Sequence, residues 1–450
     1  MMLKQKQPKK KKRSHITSAQ IIILGFLFVI LMGSFFLMLP ISTRDGVGAS
    51  FLDALFTATS ATCVTGLVLH DTAAYWSTFG QGVILLLIQI GGMGVVTVAI
   101  AIAVISGKKI SLMQRSTMQE AISAPQIGGI VRMTKFILKM TFLIELIGAV
   151  LLAPVFCKDF GLLRGIWYAI FHSISAFCNA GFDLLGIRSP FSSLTAYAAV
   201  PLLNITIMLL IIIGGIGFAT WADIRTHKYH FKRYRMQSKV ILTVTATLIL
   251  MPFLYFFFFE FTELAPEERF WGSLFQSVTP RTAGFNTLDL TCIGETGLML
   301  IIILMLIGGS PGSTAGGMKT TTIAVLCASA AAVFQEKEQA HCFGRGLSYA
   351  VIRNAAIILL MYVVLSFGGA MVISSIEEIP LLSALFETSS AIATVGLSLG
   401  ITPSLGSLSR MILIGLMFFG RVGGLTLVFA ALREKEFTGF KYPEEKITVG

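Results

Sequence analysis

ALFTATSATCVTGL, residues 54–67, is the stretch that decides how this chain folds. It opens with helix-compatible residues and ends in an extended, glycine-containing segment, all within an apolar context. The pattern returns three times, as AIFHSISAFCNAGF at 169–182, SLFQSVTPRTAGFN at 273–286 and ALFETSSAIATVGL at 384–397. Phe56, Phe171 and Phe386 precede Gly66, Gly181 and Gly396 by ten residues, whereas Phe275 precedes Gly284 by nine, so the third copy is one residue shorter. Such a segment cannot cross a bilayer, because beyond its short helix the peptide groups have no partners unless they line water or ions. Extended backbone of that kind at membrane depth suits an ion-selectivity filter.

Composition agrees with a membrane setting. With 450 residues, 55% of them apolar and 13% charged, and a mean hydropathy of +0.81, the chain is too apolar for a soluble domain of its size and reads as a polytopic membrane protein. The basic run at 9–13 precedes an apolar stretch at 19–39 that is longer than a signal-peptide core and lacks a small-residue cleavage site. A retained first transmembrane helix with a cytosolic N-terminus is expected there.

If each repeat leaves the cytosol and returns, inner segments hold 25 Lys and Arg against 8 Asp and Glu, and outer segments hold 6 against 14. This sign obeys the positive-inside rule and explains the net charge of +12 without nucleic acid. The outer acids serve solubility or concentrate cations near a pore mouth. Six cysteines (63, 157, 178, 292, 327, 342) form no spaced pairs, which excludes a disulfide framework and a zinc site.

The expected fold is all-α integral membrane, with four tandem M1–pore helix–M2 repeats around one pore: eight transmembrane helices in pseudo-fourfold arrangement. A basic cytosolic N-terminus (1–18) leads into repeat 1 (19–106), a linker with a short surface helix (107–135) and repeat 2 (136–221). A second basic linker (222–239) precedes repeat 3 (240–334), followed by a third linker (335–353), repeat 4 (354–432) and a cytosolic tail (433–450). Ser50 and Asp53 have the spacing of a capping box at the first pore helix. Lys139 and Glu145 are read as snorkelling or paired, and His172 as a packing residue. The run HKYHFKRYR at 227–235 lies beside a helix end, so a headgroup or partner contact explains it better than RNA.

Two features depart from simple spans. GGSPGSTAGGMK, residues 308–319, interrupts the second helix of repeat 3 with too many Gly and Pro residues for a continuous helix. It nearly matches a phosphate-binding loop but fails, because Met318 separates Gly317 from Lys319 and no strand precedes it. Its candidate gate residues are Gly308, Gly309, Ser310, Gly312, Ser313, Thr314, Gly316, Gly317 and Lys319. Arg421 joins them from halfway along the last helix, where a central Arg costs roughly 2.5–3.5 kcal/mol and must face a wet cavity or carbonyls. The glycine patches at Gly91, Gly214 and Gly420 are assigned to close helix packing.

Potassium sheds its hydration shell only where fixed oxygens replace it, and four extended segments can supply a ring of carbonyls. The candidate filter comprises Val64, Thr65, Gly66, Asn179, Ala180, Gly181, Thr282, Ala283, Gly284, Thr394, Val395 and Gly396. Backbone carbonyls at Thr65, Gly66, Ala180, Gly181, Ala283, Gly284, Val395 and Gly396 would hold K⁺. Glycine at the ring tolerates backbone angles that other residues avoid.

TCVTGL, FCNAGF, TAGFN and ATVGL, with the 308–319 interruption and the Arg421 helix, resemble the Trk/Ktr/HKT superfamily of potassium transporters, most closely the membrane subunit of bacterial Ktr systems. The resemblance covers nearly the whole chain. It implies a channel-like potassium pore, possible stimulation by Na⁺, a homodimer, and a cytosolic ring of RCK subunits that carries the nucleotide. No covalently bound cofactor is expected on this chain. Sodium-selective relatives carry Ser at the first filter glycine, so Gly66 argues for potassium. A multi-pass plasma-membrane protein with both termini cytosolic follows. Two alternatives remain: a secondary transporter for sodium or another monovalent cation, which would normally show two inverted halves, and a membrane enzyme, for which the six histidines provide no ligand-spaced pair inside the membrane.

Overall fold

The computed structural model describes residues 17–105, 111–121, 129–187, 189–424 and 426. The basic run at 9–13, parts of the 107–135 linker and the 433–450 tail lie outside the described residues. Those described are mostly helical, with one two-residue hairpin, β1 (His341–Cys342) antiparallel to β2 (Arg345–Gly346).

Helix α1 (Ser18–Leu37) begins at a full capping box, in which Thr17 accepts from the Gln20 N–H and the Gln20 side chain accepts from Thr17. Helix α2 (Phe51–Thr62) is capped by Ser50, whose hydroxyl accepts from the Asp53 N–H at 3.2 Å. The other half of the expected box is missing, because the Asp53 carboxylate turns to Arg410 at 3.0 Å and His70 at 3.4 Å. A charged partner outcompetes a backbone N–H for the carboxylate. A short α3 (Thr72–Tyr75) precedes α4 (Thr78–Met93), α5 (Val95–Ile105) and the linker helix α6 (Leu112–Ala121).

The same order then repeats: a long helix, a short one, and a third that is broken in every group but the last among the described residues. Helices α7 (Ile130–Phe160), α8 (Leu162–Phe177), α9 (Pro201–Gly215) and α10 (Phe218–His227) form the second group. The third comprises α11 (Met236–Tyr255), α12 (Pro266–Val278), α13 (Glu295–Leu306) and α14 (Thr320–Phe334). Helices α15 (Tyr349–Glu377), α16 (Leu381–Ala393) and α17 (Ser407–Val422) form the fourth. The four long helices are long and apolar enough to cross a membrane, and the two bent pairs α4/α5 and α9/α10 raise that number to as many as six. Their outward faces expose Phe28, Leu146, Met251 and Leu360, which suits hydrocarbon rather than water.

One expectation needs correction. The second helix was expected to be continuous in repeats 1 and 2, yet α4 and α5 meet at 93° and α9 and α10 at 98°. The hinges are Gly94 and Gly217, at φ +85° and +89°, and Gly423 ends α17 at +93°. A positive φ takes the backbone out of the right-handed helix, so glycine punctuates three of the four groups, while in the third α13 ends at Ile307 before the 308–319 loop. The packing role assigned to the neighbouring glycines does fit. A Cβ on Gly91, Gly214 or Gly420 would lie 1.9, 2.0 or 1.9 Å from the carbonyl oxygen of Thr62, Phe177 or Ile392, at or next to the last residue of a short helix.

Packing closes the groups into a cycle. Helix α4 packs on α8, α9 on α12, α13 on α16, and α17 on α2. Each broken helix therefore braces the short helix of the next group, and the four short helices converge on one centre.

Candidate functional site

Each short helix ends in a tight reversal. Thr65, Ala180 and Val395 donate their N–H to the carbonyls of Ser60, Ser175 and Ser390, five residues back, at 2.8, 2.8 and 2.9 Å. In the third copy Ala283 reaches Thr279, four residues back, at 3.0 Å. The missing residue is thus absorbed inside the turn. Val64, Asn179, Thr282 and Thr394 all adopt left-handed angles, at φ +56°, +59°, +67° and +53°. Such angles cost about 1–3 kcal/mol per non-glycine residue and persist only where surroundings enforce them. The hydroxyls at the same register do so in pairs. Ser60 and Ser390 accept from the Gly66 and Gly396 N–H at 3.1 and 3.0 Å. Ser175 and Thr279 donate to the Phe182 and Phe285 carbonyls at 2.7 and 2.6 Å.

The four glycines then form a closed ring. A Cβ on Gly66 would lie 2.5 Å from the Ala180 oxygen, and one on Gly181 would lie 2.8 Å from that of Ala283. On Gly284 it would meet the Val395 oxygen at 2.2 Å, and on Gly396 the Thr65 oxygen at 2.2 Å. Each glycine abuts the next copy's preceding carbonyl, and the fourth returns to the first. Gly66, Gly181, Gly284 and Gly396 all line one cavity of about 300 Å³, together with Asp71 and Asp183. A ring of carbonyl oxygens free of side chains can hold a dehydrated monovalent cation. On the loops beyond the helices, hydrogen bonds hold Asp45 and Asp289 below the usual carboxylate range, chiefly from the Thr43 and Thr291 hydroxyls.

One recurring position escaped the sequence reading, apart from His172, which was read for packing alone. The position after each register phenylalanine is Thr57, His172, Gln276 or Glu387, and all four are buried. Glu387 accepts from Ser398 Oγ at 2.6 Å, the Leu399 N–H at 3.0 Å and Thr402 Oγ1 at 2.7 Å. His172 contacts the Tyr168 oxygen through Nδ1 at 2.7 Å and accepts from the Leu184 N–H through Nε2 at 3.4 Å. It also packs against Phe156 and Phe285, so packing is only half of its work. Gln276 binds the Asn286 side chain at 2.9 Å. His172, Gln276 and Glu387 tie the short helix to the chain beyond Gly181, Gly284 and Gly396; the signal available was a recurring polar residue on an otherwise apolar face.

The 308–319 loop folds against the ring from the other direction. Ser310 and Thr314 donate their N–H to the Gly215 and Gly214 carbonyls at 2.9 and 3.3 Å, and Gly312 accepts from Phe218 at 2.7 Å. The break in α9/α10 thus leaves carbonyls and an N–H free to hold the loop. Thr314 Oγ1 donates to the Phe177 oxygen at 3.0 Å and touches Asn179 Oδ1 at 3.4 Å. A Cβ on Gly316 would lie 2.0 Å from Thr394 Oγ1, and one on Gly317 2.8 Å from the Ala393 oxygen. Ser313 Oγ closes on the Ser310 oxygen at 2.7 Å, while Gly308 and Gly309 pack against Gly317 and Ala315.

Arg421 spans the gap. Its guanidinium donates to the carbonyls of Thr314, Gly91 and Gly92, and Lys319 Nζ donates to those of Ala315 and Gly316 at 3.0 and 3.1 Å. Both cations line a second cavity of about 340 Å³ that includes no ring glycine. Every candidate gate and filter residue therefore belongs to one contiguous constellation. Glu145 is paired, as expected, through the Gln89 amide at 2.9 Å, while Lys139 is exposed.

The family model for TrkH, described as a cation transport protein, matches residues 2–438. Among curated relatives, the potassium/sodium uptake protein NtpJ of Enterococcus hirae is 41% identical, over 98% of this chain and 99% of its own. The Ktr system potassium uptake protein B of Bacillus subtilis is 38% identical over 96% and 97%. Among solved structures, the potassium transporter TrkH from Vibrio parahaemolyticus superimposes with a TM-score of 0.73 at 20% identity, covering 94% of this chain and 86% of that one, a likeness of fold.

Proposed function

We propose, from the premise that the chain belongs to the TrkH family of cation transport proteins and is a membrane transporter rather than an enzyme, that it is the ion-conducting subunit of a potassium-uptake system. The four helix groups act as M1–pore helix–M2 repeats, with eight crossings around one pore, and the charge asymmetry orients both termini to the cytosol. The observation that carries this reading is the closed ring in which four glycines each meet a neighbour's carbonyl oxygen. K⁺ binds there through the carbonyls flanking those glycines, and the 308–319 loop with Arg421 and Lys319 closes the path on the inner side. Two fixed cations below a cation site raise a barrier to conduction until they move.

Relatives named as Ktr system proteins support a multi-component assembly. We extend the proposal to a homodimer on a cytosolic RCK-type ring that binds nucleotide, with the basic face around 225–239 as the contact. Sodium stays in the proposal as an activator or a co-transported ion, because the relative at 41% identity is named for both cations. The test is Rb⁺ uptake by potassium-uptake-deficient cells expressing this chain, with and without Na⁺ and an RCK-type subunit. Saturable, voltage-following Rb⁺ entry that K⁺ outcompetes is expected. Uptake driven by a proton or sodium gradient, with no preference for K⁺ over Na⁺, would replace the channel reading with a secondary transporter.

A further inference from the structure

Two cavities adjoin at the N-terminal end of α11. One, of about 420 Å³, is lined by Thr220, Arg233, Arg235, Gln237 and Arg345. The other, of about 570 Å³, is lined along α11, α14 and α15 by residues that include Val240, Val325, Leu347 and Ile358, and it reaches Pro311 of the 308–319 loop. Met236 and Gln237 line both. The first is cationic and the second largely apolar, so together they match a molecule with an anionic head and a hydrocarbon tail.

The polar end has unmet needs. Arg235 is engaged by Asp223 at 3.5 Å, but Arg233 and Arg345 are exposed and have no ion pair among the described residues. Thr220 is only 1% exposed, lines the same cavity, and its hydroxyl has no partner. Around the mouth, Tyr229, Phe231, Phe343 and Tyr349 are exposed, Tyr229 at 98%. Phe231 and Phe343 meet edge to face at 6.3 Å, and Lys239 Nζ lies 6.0 Å from the Phe343 ring centre. Exposed aromatic rings mixed with basic side chains mark the headgroup level of a bilayer.

We propose that the adjoining cavities bind one anionic phospholipid of the inner leaflet, with its phosphate on Arg233 and Arg345 and an acyl chain in the cleft against Pro311. The leaflet assignment rests on the orientation proposed above. A soluble phosphate would fill only the first cavity, and an acidic protein surface would use the exposed arginines but leave the cleft empty. The acyl chain also touches the loop directly. A Cβ on Gly217 would lie 2.6 Å from the Pro311 oxygen, so the lipid and the α9/α10 hinge flank the same residue. Lipid occupancy therefore biases the loop.

The test uses the full chain in detergent, titrated with phosphatidylglycerol or phosphatidylcholine and read by native mass spectrometry, which requires no transport. One tightly held phosphatidylglycerol per chain is expected, with little retention of phosphatidylcholine. Arg233→Gln with Arg345→Gln should weaken retention about thirtyfold, at about 1 kcal/mol per arginine. Ala324→Phe, which fills the cleft without changing charge, should weaken it comparably, and Val325→Phe repeats that arm if the first variant is unstable. Wild type that does not prefer phosphatidylglycerol overturns the site, as does retention unchanged in the arginine or the cleft variants. Glycerol phosphate displacing the lipid at equal concentration would reduce the site to a phosphate pocket. Loss of RCK-subunit binding in the arginine variant, with lipid retention intact, would assign the arginines to protein docking.

Discussion

Adding a side chain to each ring glycine in turn yields a graded series whose order is set by geometry. At Gly66 the backbone sits at φ +91°, an angle that costs a residue with a Cβ about 1–2 kcal/mol. The added atom would also press on the Ala180 oxygen at 2.5 Å, and real Cβ contacts essentially never come within 3.0 Å. The oxygen must therefore retreat by at least half an ångström, and this oxygen is a proposed K⁺ ligand. The corresponding gaps are 2.8 Å at Gly181 and 2.2 Å at both Gly284 and Gly396. Alanine at Gly181 should be mildest, at Gly66 intermediate, and at Gly284 and Gly396 most severe. A cost of about 1–2 kcal/mol expressed at the ion site corresponds to a loss of K⁺ affinity of about fivefold to thirtyfold at Gly66. Gly66→Ser should in addition erode preference for K⁺ over Na⁺. Gly82→Ala is the control, because nothing lies within 4 Å of its added Cβ. The assay is initial Rb⁺ uptake over a concentration series, with Na⁺ as competitor and rates normalised to membrane protein. Wild-type affinity and selectivity in Gly284→Ala and Gly396→Ala at normal abundance would refute the ring as the ion site.

Shortening the loop within 310–316 should raise the maximal uptake rate, with only the small change in apparent K⁺ affinity that loss of the Thr314 hydroxyl brings, measured in the same assay. Arg421→Ala should act in the same direction, since it removes both the Thr314 anchor and a fixed charge facing the path; altered affinity at constant rate would instead move the loop into the filter. Glu387→Gln turns one of the two accepting oxygens into an N–H donor, which faces either the Ser398 hydroxyl and the Leu399 N–H or the Thr402 hydroxyl. It should cost about 1–3 kcal/mol, seen as a lower unfolding temperature of the purified protein. His172→Phe leaves the Leu184 N–H without its acceptor and should destabilise similarly, whereas His172→Gln restores an acceptor and should recover part of the loss.

How much of this was legible in the sequence depended on whether a feature repeats. The four glycines and the phenylalanines before them share a register, so the ring and its shortened third copy could be read directly. The hinges at Gly94 and Gly217 could not, because GGMG and GGIG satisfy close helix packing equally well and a single glycine carries no record of its φ. The braces at His172, Gln276 and Glu387 were hidden for the opposite reason. They occupy one register but differ in chemistry, so no shared motif announced them.

The contact between loop and ring was the least legible, and it changes what gating means here. Asn179 belongs to the ring's second copy, with φ +59°, and its side-chain amide reaches both the Arg281 oxygen at 3.4 Å and Thr282 Oγ1 at 3.5 Å in the third copy. Its oxygen faces Thr314 Oγ1 of the loop at 3.4 Å. A loop that swings away therefore removes a donor from the residue that joins two quarters of the ring. These bonds are long, so each contributes little alone, but they act on a left-handed residue held only by its surroundings. Opening the loop should thus loosen the inner side of the ring as well as clear the path. Thr314→Val keeps the shape of the loop and deletes only the hydroxyl. It should shift the K⁺ concentration dependence about twofold to fivefold, from about 0.5–1 kcal/mol for one neutral hydrogen bond, while leaving the maximal rate near wild type. If Thr314→Val instead raises the maximal rate at wild-type affinity, the loop acts as a plug and the ring does not sense it.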